Sequence, residues 1–201
     1  VRKRGAVTAR VCVSPPNYLL PGVDMRCVAS NRFFERHGYR PVGFAKNLSV
    51  GLVDRTFCVE EQEQALAARG IACRRASGTD RADIDDLLET HWPPWRDEVA
   101  ASLENTPPSL HVAMHGKRVL GFAAWDANNR GTGWFGPMGT DPEARGLGIG
   151  RVLLLRCLAD IQAAGHPAAV IPWVETVAFY NKSAGAIVSR TFNRYEKVFE
   201  S

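Results

Sequence analysis

The sequence predicts an α/β protein on a mixed α+β sheet, and two observations carry that prediction. From Ile71 to the end of the 201 residues, strand-like and helix-like runs alternate without a long structureless gap, the pattern of a mixed α/β domain. A glycine run, "GLGIG" at 146–150, leads directly into the leucine-rich "RVLLLRCL", which reads as a turn feeding a helix. With 45% hydrophobic and 23% charged residues, the chain has the composition of a water-soluble globular protein and the length for one core and part of another.

The elements follow in order. "IACRRAS" (71–77) reads as a strand. "TDRADIDDLLETHW" then opens with Thr79 or Asp80 as cap and puts Ile84, Leu87 and Leu88 on one helical face. "PPWRDEVAASLEN" starts with prolines suited to a first helical turn. "LHVAMHG" and "RVLGFAAWDAN" are strands joined by a short turn at His115–Lys117. "GTGWFGPMGTD" is a third strand broken by Gly136 and Pro137, residues that mark an edge, a bulge or close approach of a ligand. The helix after the glycines places Leu154, Leu158 and Ile161 on one face, with Arg151, Asp160 and Gln162 elsewhere, and Gly165 ends it. "AAVIPWV" is apolar enough for a central strand covered on both faces. "ETVAFYNKSAG" is a last helix, and "AIVSRTFNRYEKVF" a final strand or two.

Charge and composition exclude several classes. The net charge of +4 is spread in mixed runs, and the basic start "VRKR" lacks interleaved aromatics, so it reads as a solvated end and no nucleic-acid partner is expected. Five cysteines, Cys12, Cys27, Cys58, Cys73 and Cys157, are odd in number, widely spaced and without a CxxC pair. They are expected reduced and mostly buried, in a cytoplasmic protein. No apolar run has the length of a membrane span, and the start has no signal-peptide core.

The glycine run admits several chemistries. A GxxxxGK[ST] phosphate loop fails because Arg151 and Val152 follow Gly150. A GxGxxG dinucleotide fingerprint would need a glycine at Arg151 and a place in a first βαβ unit. Two readings remain open on the glycines alone: a strand-to-helix turn without a ligand, or backbone amides of 146–151 gathered at a helix N-terminus as a pyrophosphate site.

The context adds a resemblance. Arg145, Gly148 and Gly150 spell RxxGxG directly after the broken strand "WFGPMGTDP" and before a long helix, and "VAFYNKSAGA" places Tyr180 on the last helix. In this, residues 71–201 resemble the GNAT superfamily of acetyl-CoA-dependent N-acetyltransferases. The resemblance implies the GNAT acyl-CoA N-acyltransferase fold, with acetyl-CoA as co-substrate and no metal. It implies that Arg145, Gly146, Leu147, Gly148, Ile149, Gly150 and Arg151 hold the pyrophosphate. The splayed strand at Met138, Gly139 and Thr140 would pair with the pantetheine arm and polarise the thioester, and Asn181 would join the cofactor site. Tyr180 would be the acid that protonates the leaving thiolate; its other role is a core aromatic. The amine needs a base to free its lone pair. Glu175, just before the last helix, is the candidate, the alternative being a helix-start carboxylate favoured by the dipole. His91, His111 and His115 are weaker candidates, and Asp141 reads as a turn or cap.

Residues 17–44 echo the end of the domain. "LLPGVD" parallels "VIPWVE", so Pro21 answers Pro172 and Asp24 answers Glu175; Phe33 and Phe34 answer Phe179 and Tyr180. The chain therefore divides into 1–53, a partial GNAT-like half; 54–70, a connector, part strand and part helix; and 71–201, a complete GNAT domain. The first copy lacks a glycine loop and has Phe34 where a tyrosine would stand, so it is expected to be catalytically silent. A strand from "VGFAKNLSVGL" or "TFCVEE" is expected to complete the second domain's sheet.

The "GPMGTDPEARGLGIG" style of second domain is similar to tandem GNAT proteins that include glucosamine and glucosaminide N-acetyltransferases. The expected acceptor is thus a small-molecule amine, first an amino sugar, then a polyamine, amino acid or aminoglycoside, then a protein amine. Trp134 and Trp173 would stack on a sugar or pack in the core. A homodimer is open to such a chain, a membrane partner is not expected, and the competing class is a non-catalytic acyl-CoA-binding module.

Overall fold

The structure, a computed structural model, describes residues 6–12 and 20–199. The basic start at 1–4 and the first residues of the repeat, 17–19, lie outside the described residues. The elements run β1 (Thr8–Arg10), β2 (Val23–Asp24), α1 (Val28–Arg36), β3 (Arg40–Gly51), α2 (Glu60–Ala67), β4 (Ile71–Arg75), α3 (Arg81–His91) and α4 (Arg96–Leu103). They continue with β5 (Leu110–His115), β6 (Arg118–Trp125), β7 (Phe135–Thr140), α5 (Ile149–Ala163), β8 (Ala168–Val174), α6 (Val177–Ala184) and β9 (Ile187–Val198).

The strands form two antiparallel sheets, one ordered β4-β5-β6-β7 and the other β1-β9-β3-β8 with β2 also on β9. Helix α5 covers one face of the first sheet, and its Val152, Leu153, Leu154, Cys157, Leu158 and Ile161 are fully buried. Helices α3 and α4 cover the other face with Ile84, Leu88 and Val99. Strands β5 and β6 are therefore buried on both faces. The expectation of that environment for "AAVIPWV" is corrected: β8 alternates buried and half-exposed residues, because it stands at the end of its sheet with one face toward a cleft.

A turn Gly78–Asp80 precedes α3, and Asp80 accepts from the Ser77 amide and hydroxyl and from both ends of the Arg74 guanidinium. Three groups on β4–β6 grip Asp160 of α5: Arg75 at 2.7 Å, His111 Nε2 at 2.7 Å and Trp125 Nε1 at 3.3 Å. His111 is thereby committed to structure. The connector carries α2 without a strand at 54–59. It is tied to α5 by the Arg156–Glu63 ion pair and by Gln162, which donates to the Leu52 and Arg55 carbonyls.

Strand β3, which contains "VGFAKNLSVG", is inserted between β8 and β9 and so completes the sheet of the C-terminal half. The pairing has an internal twofold pattern. The pair Arg40↔Glu196 is matched by Ser49↔Ile187 within β3–β9, and Val23↔Asn193 on one flank is matched by Lys46↔Val174 on the other. Each β–α–β unit, β2-α1-β3 and β8-α6-β9, thus lends its last strand to the other. Neither unit closes its sheet alone, because the strand after the helix lies one place too far from its own partner. Phe34, the counterpart of Tyr180, stacks on buried Tyr195 at 5.7 Å. Asp24, the counterpart of Glu175, is held by Arg26.

The cysteines differ from expectation. All five are free, but Cys12, Cys27 and Cys58 are exposed, Cys73 is half-buried and only Cys157 is buried. Apolar neighbours in sequence did not place these thiols inside, because they fall on short strands, loops and helix ends at the surface. Burial pushes the Cys157 thiol well up, so it is inert. Among the described residues no helix is long and apolar enough to cross a membrane.

Candidate active site

Strands β7 and β8 meet and then part. They are joined at the bridge Trp134↔Val170, where the Val170 amide donates to the Gly133 carbonyl at 2.9 Å. Beyond it, among the described residues, β7 pairs only with β6, so the other edge of Gly136–Thr140 faces the gap. Met138 pairs with Ala123 and Phe135 with Trp125. Two residues, Gly136 and Pro137, thus oppose Ala124 alone, a bulge that turns the strand away from β8. Gly136 takes φ +115° there, which only glycine adopts easily.

At the end of β7 the chain turns through Pro142–Ala144. Asp141 caps this turn by accepting from the Glu143 amide at 2.9 Å, and Arg118 donates to both Asp141 and Glu143 at 2.7 Å. Asp141 is therefore a cap, as its sequence position suggests. The glycine loop follows. Gly148 is the N-cap of the fifteen-residue α5 with φ +90°, and a Cβ there would meet nothing within 4 Å among the described residues. Gly146 at φ +82° is equally open. The Ile149 and Gly150 amides open α5 ahead of the bond from the Arg151 amide to the Gly148 carbonyl at 3.1 Å, and lie at the positive end of its dipole. Gly150 closes the constellation: a Cβ on it would lie 3.4 Å from Met138 Cε, 3.5 Å from Phe179 Cζ and 3.5 Å from Thr140 Oγ1. The loop, the splayed strand and α6 are thus brought to one place.

Tyr180 sits on the first turns of α6 with its ring edge-on to Phe135 at 6.2 Å and to Phe179 at 5.0 Å. Burial pushes its phenol up to about 12, so at neutral pH it holds its proton and acts as a donor. Glu175 is exposed at the mouth of the same gap. Asn181 is exposed, and its amide donates to the Ala186 carbonyl at 3.1 Å, an anchor for the end of α6. Arg145 is exposed beside the glycines. His91 and His115 stand away from the gap, His91 lining a separate hollow with Arg118 and Asp141.

The gap opens into a cavity of about 560 Å³. Tyr180, Glu175 and the backbone of Gly136–Met138 form one side. Four tryptophans, Trp92, Trp95, Trp134 and Trp173, form much of the rest. Trp92 and Trp95 stack on each other at 5.6 Å, and the Arg194 guanidinium lies over Trp173 at 5.1 Å. Trp134 and Trp173 are half-buried, so both line the cavity as well as pack.

Sequence reasoning missed part of this wall. Trp92, Trp95 and Glu98 come from "HWPPWRDE" and Asn128 from the β6–β7 connection. The aromatic pair flanking two prolines was the one available signal. Glu98 is 4% exposed and accepts from Asn128 Nδ2 at 3.3 Å. Burial pushes its carboxyl up to about 6, and Asp97 adds to that, against the lowering effect of the Asn128 bond.

Comparison with known proteins follows the same outline. The model of the Acetyltransferase (GNAT) family matches residues 79–186. A mycothiol acetyltransferase of Nocardiopsis dassonvillei is 31% identical over 121 residues, 60% of this chain and 35% of that protein. The chain thus matches about a third of the length of that relative. A GCN5-related glucosamine N-acetyltransferase region in a fungal multi-domain GH3 beta-N-acetylglucosaminidase superposes with a TM-score of 0.80 at 18% identity, over 97% of this chain and 26% of that one. A tandem GNAT protein from the clavulanic acid biosynthesis pathway superposes at 0.62 and 13% identity, over 100% of this chain and 67% of the other. At these identities the two structures share the fold.

Proposed function

The chain belongs to the Acetyltransferase (GNAT) family, and on that premise we propose that it moves the acetyl group of acetyl-CoA to the primary amine of a small molecule, an amino sugar first, by direct attack in a ternary complex. One observation carries the proposal: the split between β7 and β8 opens beside the glycine loop and against Tyr180. The residues fit the co-substrate. Open space in front of Gly146 and Gly148, with the Ile149 and Gly150 amides at the positive end of α5, suits a pyrophosphate. Arg145, Leu147, Ile149, Gly150 and Arg151 complete that seat, and Asn181 flanks it from α6. The free edge of Met138, Gly139 and Thr140 suits an extended amide-bearing arm.

Acetyl-CoA, when bound, supplies an activated acyl carbon and a thiol leaving group. A main-chain amide of Met138–Thr140 stabilises negative charge developing on the carbonyl oxygen. Tyr180 holds the proton that the departing sulfur requires, and its raised pKa keeps that proton in place until then. Glu175, exposed at the mouth, attracts a cationic amine and passes protons to bulk water. The tryptophan-lined cavity favours an acceptor with a flat, partly apolar face, which an amino sugar has. That choice agrees with the glucosamine N-acetyltransferase named for the fungal region and with the acetyltransferase named for the bacterial relative. In this reading the N-terminal unit is non-catalytic and serves as the lender of β3.

The test is release of free thiol from acetyl-CoA with glucosamine, galactosamine, spermidine and lysine methyl ester. Turnover with at least one amine, and best with a sugar, is expected. Acetyl-CoA binding without thiol release on any amine would favour a non-catalytic acyl-CoA-binding module instead.

A further inference from the structure

Glu98 and Asn128 stand out as polar groups buried in an otherwise aromatic wall. They come from elements with no part in the acetyl-CoA seat: Glu98 from the first turn of α4, Asn128 from the β6–β7 connection. Both line the cavity that contains Tyr180. Glu98 is 4% exposed and Asn128 7% exposed. The Asn128 amide nitrogen donates to Glu98, while its Oδ1 is buried with no hydrogen-bond partner among the described residues. A carboxylate and an amide oxygen, both acceptors, are thus left in one apolar pocket. A buried acceptor without a donor costs about 1–3 kcal/mol, and an ammonium group supplies several donors at once.

We propose that Glu98, positioned by Asn128, is the group that receives the acceptor amine and takes its proton. The inference rests on the acetyl-transfer reading for its second half only, since amine binding at this pair is separable from turnover. The first step transfers one proton from the ammonium to the Glu98 carboxylate and leaves the nitrogen lone pair free. The lone pair then forms the C–N bond as the thioester C–S bond breaks. The sulfur leaves with the Tyr180 proton, and the second proton on nitrogen returns to the Tyr180 oxygen through water. Glu98 then gives its proton to solvent, so the net products are amide, thiol and one proton. Exposed Glu175 lies at the mouth, and Glu98 lies where the amine must be desolvated to react.

The electrostatic setting suits the task. Asp97 on α4 raises the Glu98 carboxyl and Asn128 lowers it, burial being the largest effect, and it comes to about 6. Other charged groups on adjoining elements are engaged elsewhere: His111 on β5 with Asp160, Arg96 with Glu89 of α3, Arg130 with the Ala101 carbonyl, and Asp126 with the Gly131 amide. A base whose proton affinity lies near the working pH accepts and releases a proton at little cost.

The experiment follows quenching of cavity tryptophan fluorescence by glucosamine, with glucose as the amine-free control, across pH for the wild type, Glu98→Gln and Asn128→Ala. In the wild type, glucosamine affinity should rise through about pH 6, as the carboxylate forms, and exceed that for glucose by about tenfold. Glu98→Gln should bind the two sugars alike with no pH dependence, while retaining acetyl-CoA affinity. Asn128→Ala, which removes the lowering bond, should move the wild-type midpoint upward. Equal, pH-independent binding of glucosamine and glucose by the wild type overturns the inference, as does an unchanged pH profile in Glu98→Gln. If the wild type binds glucosamine in this way yet releases no thiol, the transfer reading fails while the amine site stands. If Glu98→Gln unfolds, the wild-type and Asn128→Ala profiles decide alone.

Discussion

Gly139 and Trp92 are in such close contact that a β-carbon on Gly139 would fall 2.7 Å from the Trp92 ring. The ring has little freedom to retreat, because it stacks on Trp95 and meets Phe122 edge-on at 5.8 Å. This contact joins the splayed strand proposed to face acetyl-CoA to the aromatic wall proposed to face the acceptor. Gly139→Ala should therefore push Trp92 into the cavity. A loss of about 1–3 kcal/mol in urea unfolding and a several-fold rise in acceptor KM are expected, with acetyl-CoA KM little changed.

Tyr180→Phe keeps the ring contacts with Phe135 and Phe179 and removes only the hydroxyl. Turnover should fall about a hundredfold, the range of a lost general acid, while the dissociation constant of acetyl-CoA stays within a factor of about two. A full rate in stopped-flow thiol release would remove Tyr180 from the chemistry and leave it as a core aromatic.

Asp160 answers three donors on three strands. Burial pushes its carboxyl up, but the bonds from His111 and Arg75 outweigh burial and hold it below its ordinary range. Removing one partner from such a network leaves the others uncompensated, so Asp160→Ala should cost about 3 kcal/mol and lower Tm by roughly 10 °C. Calorimetry checks this.

Glu98 gives stability an opposite pH dependence to the paired carboxylates. Its folded pKa, about 6, lies above the ordinary 4.5. The contribution is present below about pH 4.5 and is lost as pH rises through 6, since the folded state must then bury a charge. The loss amounts to about 2 kcal/mol. Asp80, held well below its ordinary range by Arg74, contributes above that range and loses its stabilisation only as pH falls into strong acid. The stability of the wild type relative to Glu98→Gln should therefore fall between about pH 4 and pH 7, a difference that chemical denaturation at fixed pH values measures.

The glycine loop and the broken strand proposed to seat acetyl-CoA were largely legible in the sequence because they are made of neighbours in the chain. Arg145, Gly148 and Gly150 lie in one loop, and Gly136 and Pro137 announce the bulge that opens the gap. The insertion of β3 was legible too, in the expectation that "VGFAKNLSVGL" or "TFCVEE" completes the second domain's sheet; the first of them does. The acceptor side was not. Glu98 and Asn128 are 30 positions apart, and beyond the Trp92 and Trp95 pair nothing in either local pattern marks a wall that exists only once α4 packs over β6. For the same reason β8 misled: its apolar run fits a strand buried on both faces, but its partner β7 departs and leaves Pro172 and Trp173 to the cavity. The cysteines failed in the opposite direction, since apolar neighbours in sequence do not decide exposure at strand ends and loops.

The glycine loop and the free edge of β7 are proposed to form one seat for acetyl-CoA. Titration of acetyl-CoA into the isotopically labelled protein, followed through backbone amide resonances, tests it most directly. Signals of Met138–Thr140 and Gly146–Arg151 should move together and saturate at one equivalent. The movement should vanish in Gly148→Glu, where a carboxylate fills the open space before α5. Resonance changes confined to other regions, or an unaltered titration in Gly148→Glu, would contradict it.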